Sequence, residues 1–197
     1  MALPGDMPNA TRFWGAAHAT PATCKTTSSS TMATCDGDGN GYLDCPSGVC
    51  NELFHAWKQL ANAALIEGTY TGLTGDSGAW DARVGVNVPA ARISNAGYVF
   101  WSHSSIYSDG NWFPTQGNLI EFGGQLIGTI TSGGVMRPEE AWGIDIKMDD
   151  GRPAIGKVRG RPLGAGGNPN CTTSATPSVA EYDLPRTSRE CSIHFIF

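Results

Sequence analysis

Apolar residues recur at intervals of three and four from Leu53 through Phe54, Trp57, Leu60, Ala61 and Ala64 to Leu65. This spacing predicts an amphipathic helix over 51–67, started by Asn51, ended by Gly68, with one face in a core. His55 falls off that stripe and is expected to face solvent. A second pattern reads two ways: Trp142, Ile144, Ile146 and Met148 alternate like a strand, whereas Ala141, Ile144 and Met148 share a helical face. Pro138, Glu139 and Glu140 suit the positive end of a helix dipole, so a helix is chosen there, terminated by Asp149, Asp150 and Gly151. Short strands are predicted at 98–101, 155–158 and 193–197, and a hairpin pairs 118–122 with 125–131 across Gly123-Gly124. An extended lead-in over 4–14 carries a short turn or helix capped near Asn9. The stretches 24–34, 71–89, 102–117 and 161–170 read as loops. The sum is one main helix and a sheet of modest size.

Between the lead-in and the main helix runs CDGDGNGYLDCPSGVCNE, residues 35–52, which reads as a calcium loop. Asp36, Asp38 and Asn40 occupy the first, third and fifth positions of an EF-hand-type loop, with Gly41 at the sharp turn and Leu43 at the apolar eighth. Tyr42 offers its backbone carbonyl, and Asp44 binds directly or through water. The twelfth position is Ser47 where a bidentate glutamate belongs, and Glu52 is the nearest substitute. A disulfide between Cys45 and Cys50 swings Glu52 back towards the ion. The competing reading is a metal-free turn, because Asp and Gly favour turns by themselves. Crowded carboxylates without a cation repel one another, which favours Ca²⁺.

Composition narrows the function classes. The chain has 197 residues, enough for one domain spanning 1–197. Its net charge is -5 and it has no basic run, which argues against nucleic acid. Six cysteines, at 24, 35, 45, 50, 171 and 191, point to an oxidising compartment. Pairing each with its neighbour (Cys24 with Cys35, Cys45 with Cys50, Cys171 with Cys191) is the simplest of the fifteen possible connectivities. No CxxC spacing supports zinc. The opening residues contain no signal peptide or spanning segment, which is at odds with export unless such a segment has been removed.

Catalytic patterns are thin, and no enzymatic activity is expected. Gly75-Asp76-Ser77-Gly78 and Ala16-Ala17-His18 echo a serine-protease nucleophile and histidine, but they stand too close in sequence for the two-barrel fold. A serine hydrolase using Ser77 is therefore a remote alternative. The pairs Glu139-Glu140 and Asp149-Asp150 fit helix ends better than a glycosidic site, and His103 and His194 lack ligand-spaced partners. Trp80, Trp101, Tyr107, Trp112 and Phe113 lie in or beside loops, which leaves open a calcium-dependent carbohydrate-binding or adhesive module, against the alternative that these rings fill the core.

Several stretches taken in order resemble the type IV pilin-like proteins, prepilins and pseudopilins. They are LPGDMPNATRFWG, DGDGNG, WKQLANAALIEGTYTG, GVNVPAARISNAGY and GIDIKMDDGRPAIGKVRG followed by a cysteine. The resemblance implies an α+β fold, a pilin-like head with a main helix packed with a small antiparallel sheet, long loops, disulfides and a calcium loop, and with residues 1–15 as the trailing end of an N-terminal helix and its lead-in. It implies a structural subunit of a type IV pilus or a type II secretion-like pseudopilus, extracellular or periplasmic. The partners would be other pilin or pseudopilin subunits, and the membrane would be reached only through that apolar helix before assembly. Calcium stabilises the heads of some pseudopilins, and the pair Cys171 and Cys191 resembles the C-terminal disulfide loop of type IV pilins by position.

Overall fold

The computed structural model describes residues 3–45, 51–103, 112, 117–162, 164 and 170–197. The elements run α1 (Thr11–Trp14), α2 (Pro21–Cys24), α3 (Asn51–Asn62), β1 (Ala96–His103), β2 (Gly117–Gly124), α4 (Pro138–Met148), β3 (Val158–Gly160) and β4 (Ile193–Ile196). The four strands form one antiparallel sheet in the order β1-β2-β4-β3. The α+β reading holds at this level.

Helix α3 lies across β1 and buries the predicted stripe. Leu53, Phe54 and Trp57 pack with Val99 and Trp101 of β1, Leu119 of β2 and the loop residues Ala82, Val88 and Ile130. Trp57 stacks on Phe100 with ring centroids 4.2 Å apart. A second cluster joins Ala96, Phe122 and Ile193 of the sheet to Met136, Ala141 of α4, Tyr182 and the disulfide Cys171–Cys191. Cys24 pairs with Cys35. Cys45 is also disulfide-bonded, and its expected partner, Cys50, lies outside the described residues.

Helix α3 is shorter than its periodicity. It stops at Asn62 because the backbone closes on itself: Leu65 N–H donates to Leu60 C=O, Ala64 N–H donates to Ala61 C=O, and Ala64 takes a left-handed φ of 56°. That is a Schellman closure with alanine in the position glycine normally fills. Leu65 is left 71 % exposed, so the last predicted turn contributes nothing to the core. Asn51 is the first helical residue, and its amide nitrogen donates to the Lys25 carbonyl. His55 is buried, contrary to expectation, because the turn at Gly72 closes over it.

The expected hairpin is absent. Strand β2 continues through Gly123-Gly124, and its antiparallel partners are β1 and β4. A Cβ on Gly123 would stand 2.2 Å from the Thr131 carbonyl, so this glycine serves a close backbone approach, not a turn. Residues 125–131 pair instead with the 81–84 loop, through Ala82 N–H to Thr129 C=O and Gly128 N–H to Asp81 Oδ1.

The helical reading of 138–149 is correct. Glu140 accepts the Arg137 N–H at 2.8 Å and closes the first turn of α4. Strand β3 starts later than expected, at Val158; Asp149 accepts the amides of Lys157 and Val158, while the Lys157 carbonyl accepts the Ile196 N–H of β4 at 2.8 Å. Asn9 is not the cap of α1, whose N-cap is Ala10.

Candidate metal site

The acidic loop is held at the start of α3 by a carboxylate from the helix. Glu52 is 1 % exposed, and its two oxygens accept the N–H groups of Asp38 at 3.0 Å and Asp44 at 3.3 Å. Both sides of the loop are thereby gathered onto one helical residue. From the sheet, Asn118 of β2 donates to Gly41 C=O at 2.9 Å and accepts the Leu43 N–H at 2.9 Å. Buried Leu43 anchors the turn, as its place in the motif predicts.

The lead-in supplies a residue that sequence reasoning missed. Gly5, with φ of 91°, runs so close to α3 that a Cβ there would stand 2.3 Å from the Glu52 carbonyl. Its N–H donates to Gln59 Oε1 at 2.7 Å. This contact turns Asp6 into the loop, where its carboxylate accepts the N–H groups of Asn40 and Gly41, both at 3.0 Å. Asp6, Asp38 and Glu52 each place one oxygen within 4.8 Å of the others. The signal available in the sequence was Gly5 directly before an aspartate, an opening for close backbone approach.

The expected ligands divide accordingly. Asp38 and Glu52 belong to the cluster. Asp36 is outside it: its carboxylate is engaged by Thr11, by N–H at 2.8 Å and by hydroxyl at 3.0 Å, and so fastens α1 to the loop. Asn40 turns its amide nitrogen towards Asp38 (3.1 Å) and Asp44 (3.3 Å), while its oxygen accepts the Tyr42 N–H at 2.7 Å. In this arrangement Asn40 braces the carboxylates and offers them no oxygen. Asp44 stands beside the cluster with Oδ1 out of solvent and without a hydrogen-bond partner. Ser47 lies outside the described residues.

Electrostatics make this cluster a good fit for a hard cation. Burial raises the pKa of Glu52 to about 7, with Asp38 and Asp44 adding to the rise. Burial also raises Asp6 and Asp44 above the ordinary carboxylate value. Among the described residues no lysine or arginine forms an ion pair with Asp6, Asp38, Asp44 or Glu52. Lys25 lowers Asp44 only as the smallest of its influences, and the oxygen donors gathered from several chain segments could hold a hard metal ion.

A second acidic group, Asp145, Asp149 and Asp150, is committed to protein contacts. Asp145 accepts the Tyr182 hydroxyl at 2.9 Å and the Gly151 N–H at 3.0 Å; Asp149 takes two amides, and Asp150 accepts the Arg152 N–H at 2.8 Å.

The other candidate sites lose their expected form. Trp101 and Trp112 are buried, with Trp112 Nε1 donating to Ala175 C=O, and Trp80 packs edge-on to Trp101 at 6.1 Å. Trp101 and Trp112 offer no exposed platform, Trp80 is half-buried, and Tyr107 and Phe113 lie outside the described residues. Ser77 gives its N–H to Asp81 at 3.1 Å, and His18 Nδ1 accepts the Thr20 N–H at 3.0 Å, so each is used within its own loop. His194 has a partner that sequence spacing could not show. It is wholly buried, with Nε2 3.3 Å from Glu121 Oε1, and Arg161 Nε lies 3.0 Å from the same oxygen.

Compared with protein-family models, curated proteins and solved structures, the chain matches none.

Proposed function

We propose that this chain is the head of an extracellular filament subunit of the type IV pilin or pseudopilin kind, and that calcium acts in it as a structural clip. The observation that carries the metal part is the buried Glu52 carboxylate, which shares a cage with Asp6 and Asp38 and forms no ion pair with a lysine or arginine among the described residues. Asp44 is the fourth oxygen donor, through the Oδ1 that has no hydrogen-bond partner. When bound, calcium neutralises the cage. Glu52 and Asp38 then join α3 to the loop, and Asp6 joins the lead-in to both.

The subunit reading rests on the ordered sequence resemblance, and three features support it. Helix α3 packs on an antiparallel sheet, a disulfide ties Cys171 to Cys191 just ahead of β4, and the disulfides suit an oxidising extracellular or periplasmic environment. Among the described residues no helix is long and apolar enough to cross a membrane. In this reading membrane anchoring and filament contacts belong to the family's N-terminal apolar helix, and the role is structural, not enzymatic.

Two measurements test the two parts separately. Metal-free protein titrated with calcium is expected to show saturable binding and a rise in melting temperature, with about 2.7 kcal/mol of stabilisation at a hundredfold excess over Kd; an unchanged melting curve rejects the clip. An antibody against this domain is expected to decorate sheared surface filaments along their length. Labelling confined to the soluble fraction rejects the subunit role.

A further inference from the structure

Helix α3 carries a second buried polar feature besides Glu52. Lys58 is 3 % exposed, and its ammonium donates to the Ser29 carbonyl at 2.8 Å. Among the described residues no carboxylate lies within ion-pair distance of it. A lysine ammonium has three donors, and one neutral acceptor is a poor match for a cation taken out of water. Burial accordingly lowers the Lys58 pKa.

This lysine lines a cleft of about 500 Å³ between the 28–32 loop and the 68–71 turn. Both walls are fixed. The 28–32 loop lies within the Cys24–Cys35 disulfide, and Asn62 donates to the Met32 carbonyl at 2.6 Å. Tyr70 is held by its hydroxyl bond to the Glu67 carbonyl at 3.0 Å. The hydroxyls of Ser28, Ser30 and Thr69 also line the cleft and have no protein partner among the described residues. The volume falls in the range of small-molecule sites, and seven of the twelve lining residues carry a hydroxyl beside a comparable apolar surface.

We propose that this cleft binds an acidic monosaccharide unit, a hexuronate, with its carboxylate on Lys58, its hydroxyls on Ser28, Ser30 and Thr69, and its ring against Tyr70. The carboxylate supplies the counter-charge that the buried ammonium lacks. The hydroxyl lining exchanges hydrogen bonds with a polyol, whereas a purely apolar ligand would leave it unpaired. A charge-assisted bond of this kind favours the acid over its neutral counterpart by about tenfold or more. None of the acidic-loop residues takes part, so the inference stands or falls independently of the calcium clip and of the filament role.

The test is an NMR titration of the full chain with D-glucuronate and D-galacturonate, with D-glucose and D-galactose as neutral counterparts. The uronates are expected to shift the amides of 28–32, 58–62 and 68–71 with a Kd of about millimolar, and the neutral sugars to bind about tenfold more weakly. Lys58→Met keeps the aliphatic stem and is expected to weaken uronate binding at least tenfold. Thr69→Val, on the exposed rim, is expected to weaken it a few-fold at unchanged melting temperature, and it provides the reading if the lysine variant fails to fold. Absence of saturable shifts at 50 mM uronate, equal binding of acid and neutral sugar, or full uronate affinity in either folded variant overturns the proposal.

Discussion

Glu52 accepts the Asp38 N–H at 3.0 Å from within the first turn of α3, so a loop and the helix that follows it are joined by a buried carboxylate. The same carboxylate shares a cluster with Asp38 and Asp6. A group that organises backbone and gathers negative charge at once ties the stability of this region to the charge state of the cage.

The first prediction concerns which aspartate matters. Asp6→Asn removes a charge from the cage and keeps one acceptor oxygen where Asp6 has two, so only one of the Asn40 and Gly41 N–H bonds survives. It is expected to abolish most of the calcium-dependent rise in melting temperature, at a cost of about 1 kcal/mol in the metal-free protein. Asp36→Asn is expected to spare the calcium response. It weakens the bonds to Thr11 at a cost of about 1 kcal/mol and leaves the calcium increment intact. Thermal melts of both variants with and without calcium check this. A calcium response lost in the Asp36 variant and kept in the Asp6 variant would reverse the ligand assignment.

Acidity separates two buried groups on α3. In metal-free protein the Glu52 pKa is raised from 4.5 to about 7, so its contribution is present below pH 4.5 and is lost as pH rises through 7. His55 is lowered from 6.5 to about 3 by burial, then by Lys58 and Lys25, so the neutral ring's contribution is present above pH 6.5 and is lost as pH falls towards 3. The slopes of these two groups oppose between pH 4.5 and 6.5, and Asp145, raised to about 6, adds to the Glu52 slope over the lower part of that range. Calcium keeps Glu52 ionised and removes its part of the opposition. The stabilisation by calcium is therefore expected to grow from pH 5 to pH 8. Denaturant melts at several pH values measure it, and a calcium increment constant over that range contradicts the assignment.

The end of α3 offers a gain in stability. Ala64 sits at φ 56° in the Schellman position, a conformation that disfavours a Cβ. Ala64→Gly is expected to stabilise the protein by about 0.5 to 1 kcal/mol, the relief of the left-handed strain exceeding the extra entropy of glycine in the unfolded chain. Chemical denaturation decides it, and a loss of stability in this variant would mean that the closure is not strained.

What could be read in advance was whatever short-range pattern fixes. Leu53, Phe54 and Trp57 announced the buried face of α3, and Pro138 with Glu140 announced the start of α4. The misreadings arose where a distant segment decides. Gly123-Gly124 looks like a turn until the Thr131 carbonyl occupies the space of a side chain. His55 looks solvated until Gly72 covers it. The acidic loop was visible as a motif, but its membership was not: Thr11 draws Asp36 away, and the close passage of Gly5 brings Asp6 in. Spacing within a loop cannot reveal a ligand delivered from outside it.

The buried pair Glu121 and Arg161 gives the last prediction. Register sets His194 of β4 opposite Glu121 of β2, and Arg161 follows the end of β3, so three chain segments converge on one oxygen. Burial works against ionisation of Glu121, but Arg161 and then His194 outweigh it and hold the carboxyl below its ordinary value. Stability from this group is therefore present above pH 4.5 and is lost as pH falls through its depressed folded pKa. Removing one partner is worse than removing the charge, because a buried carboxylate is left without its cation. Arg161→Met is expected to cost about 3 to 5 kcal/mol at pH 7, and Glu121→Gln in the same background is expected to recover part of that loss. A double-mutant cycle by denaturant unfolding measures the coupling. If the two losses simply add, the pair does not hold the sheet together in the way its geometry implies.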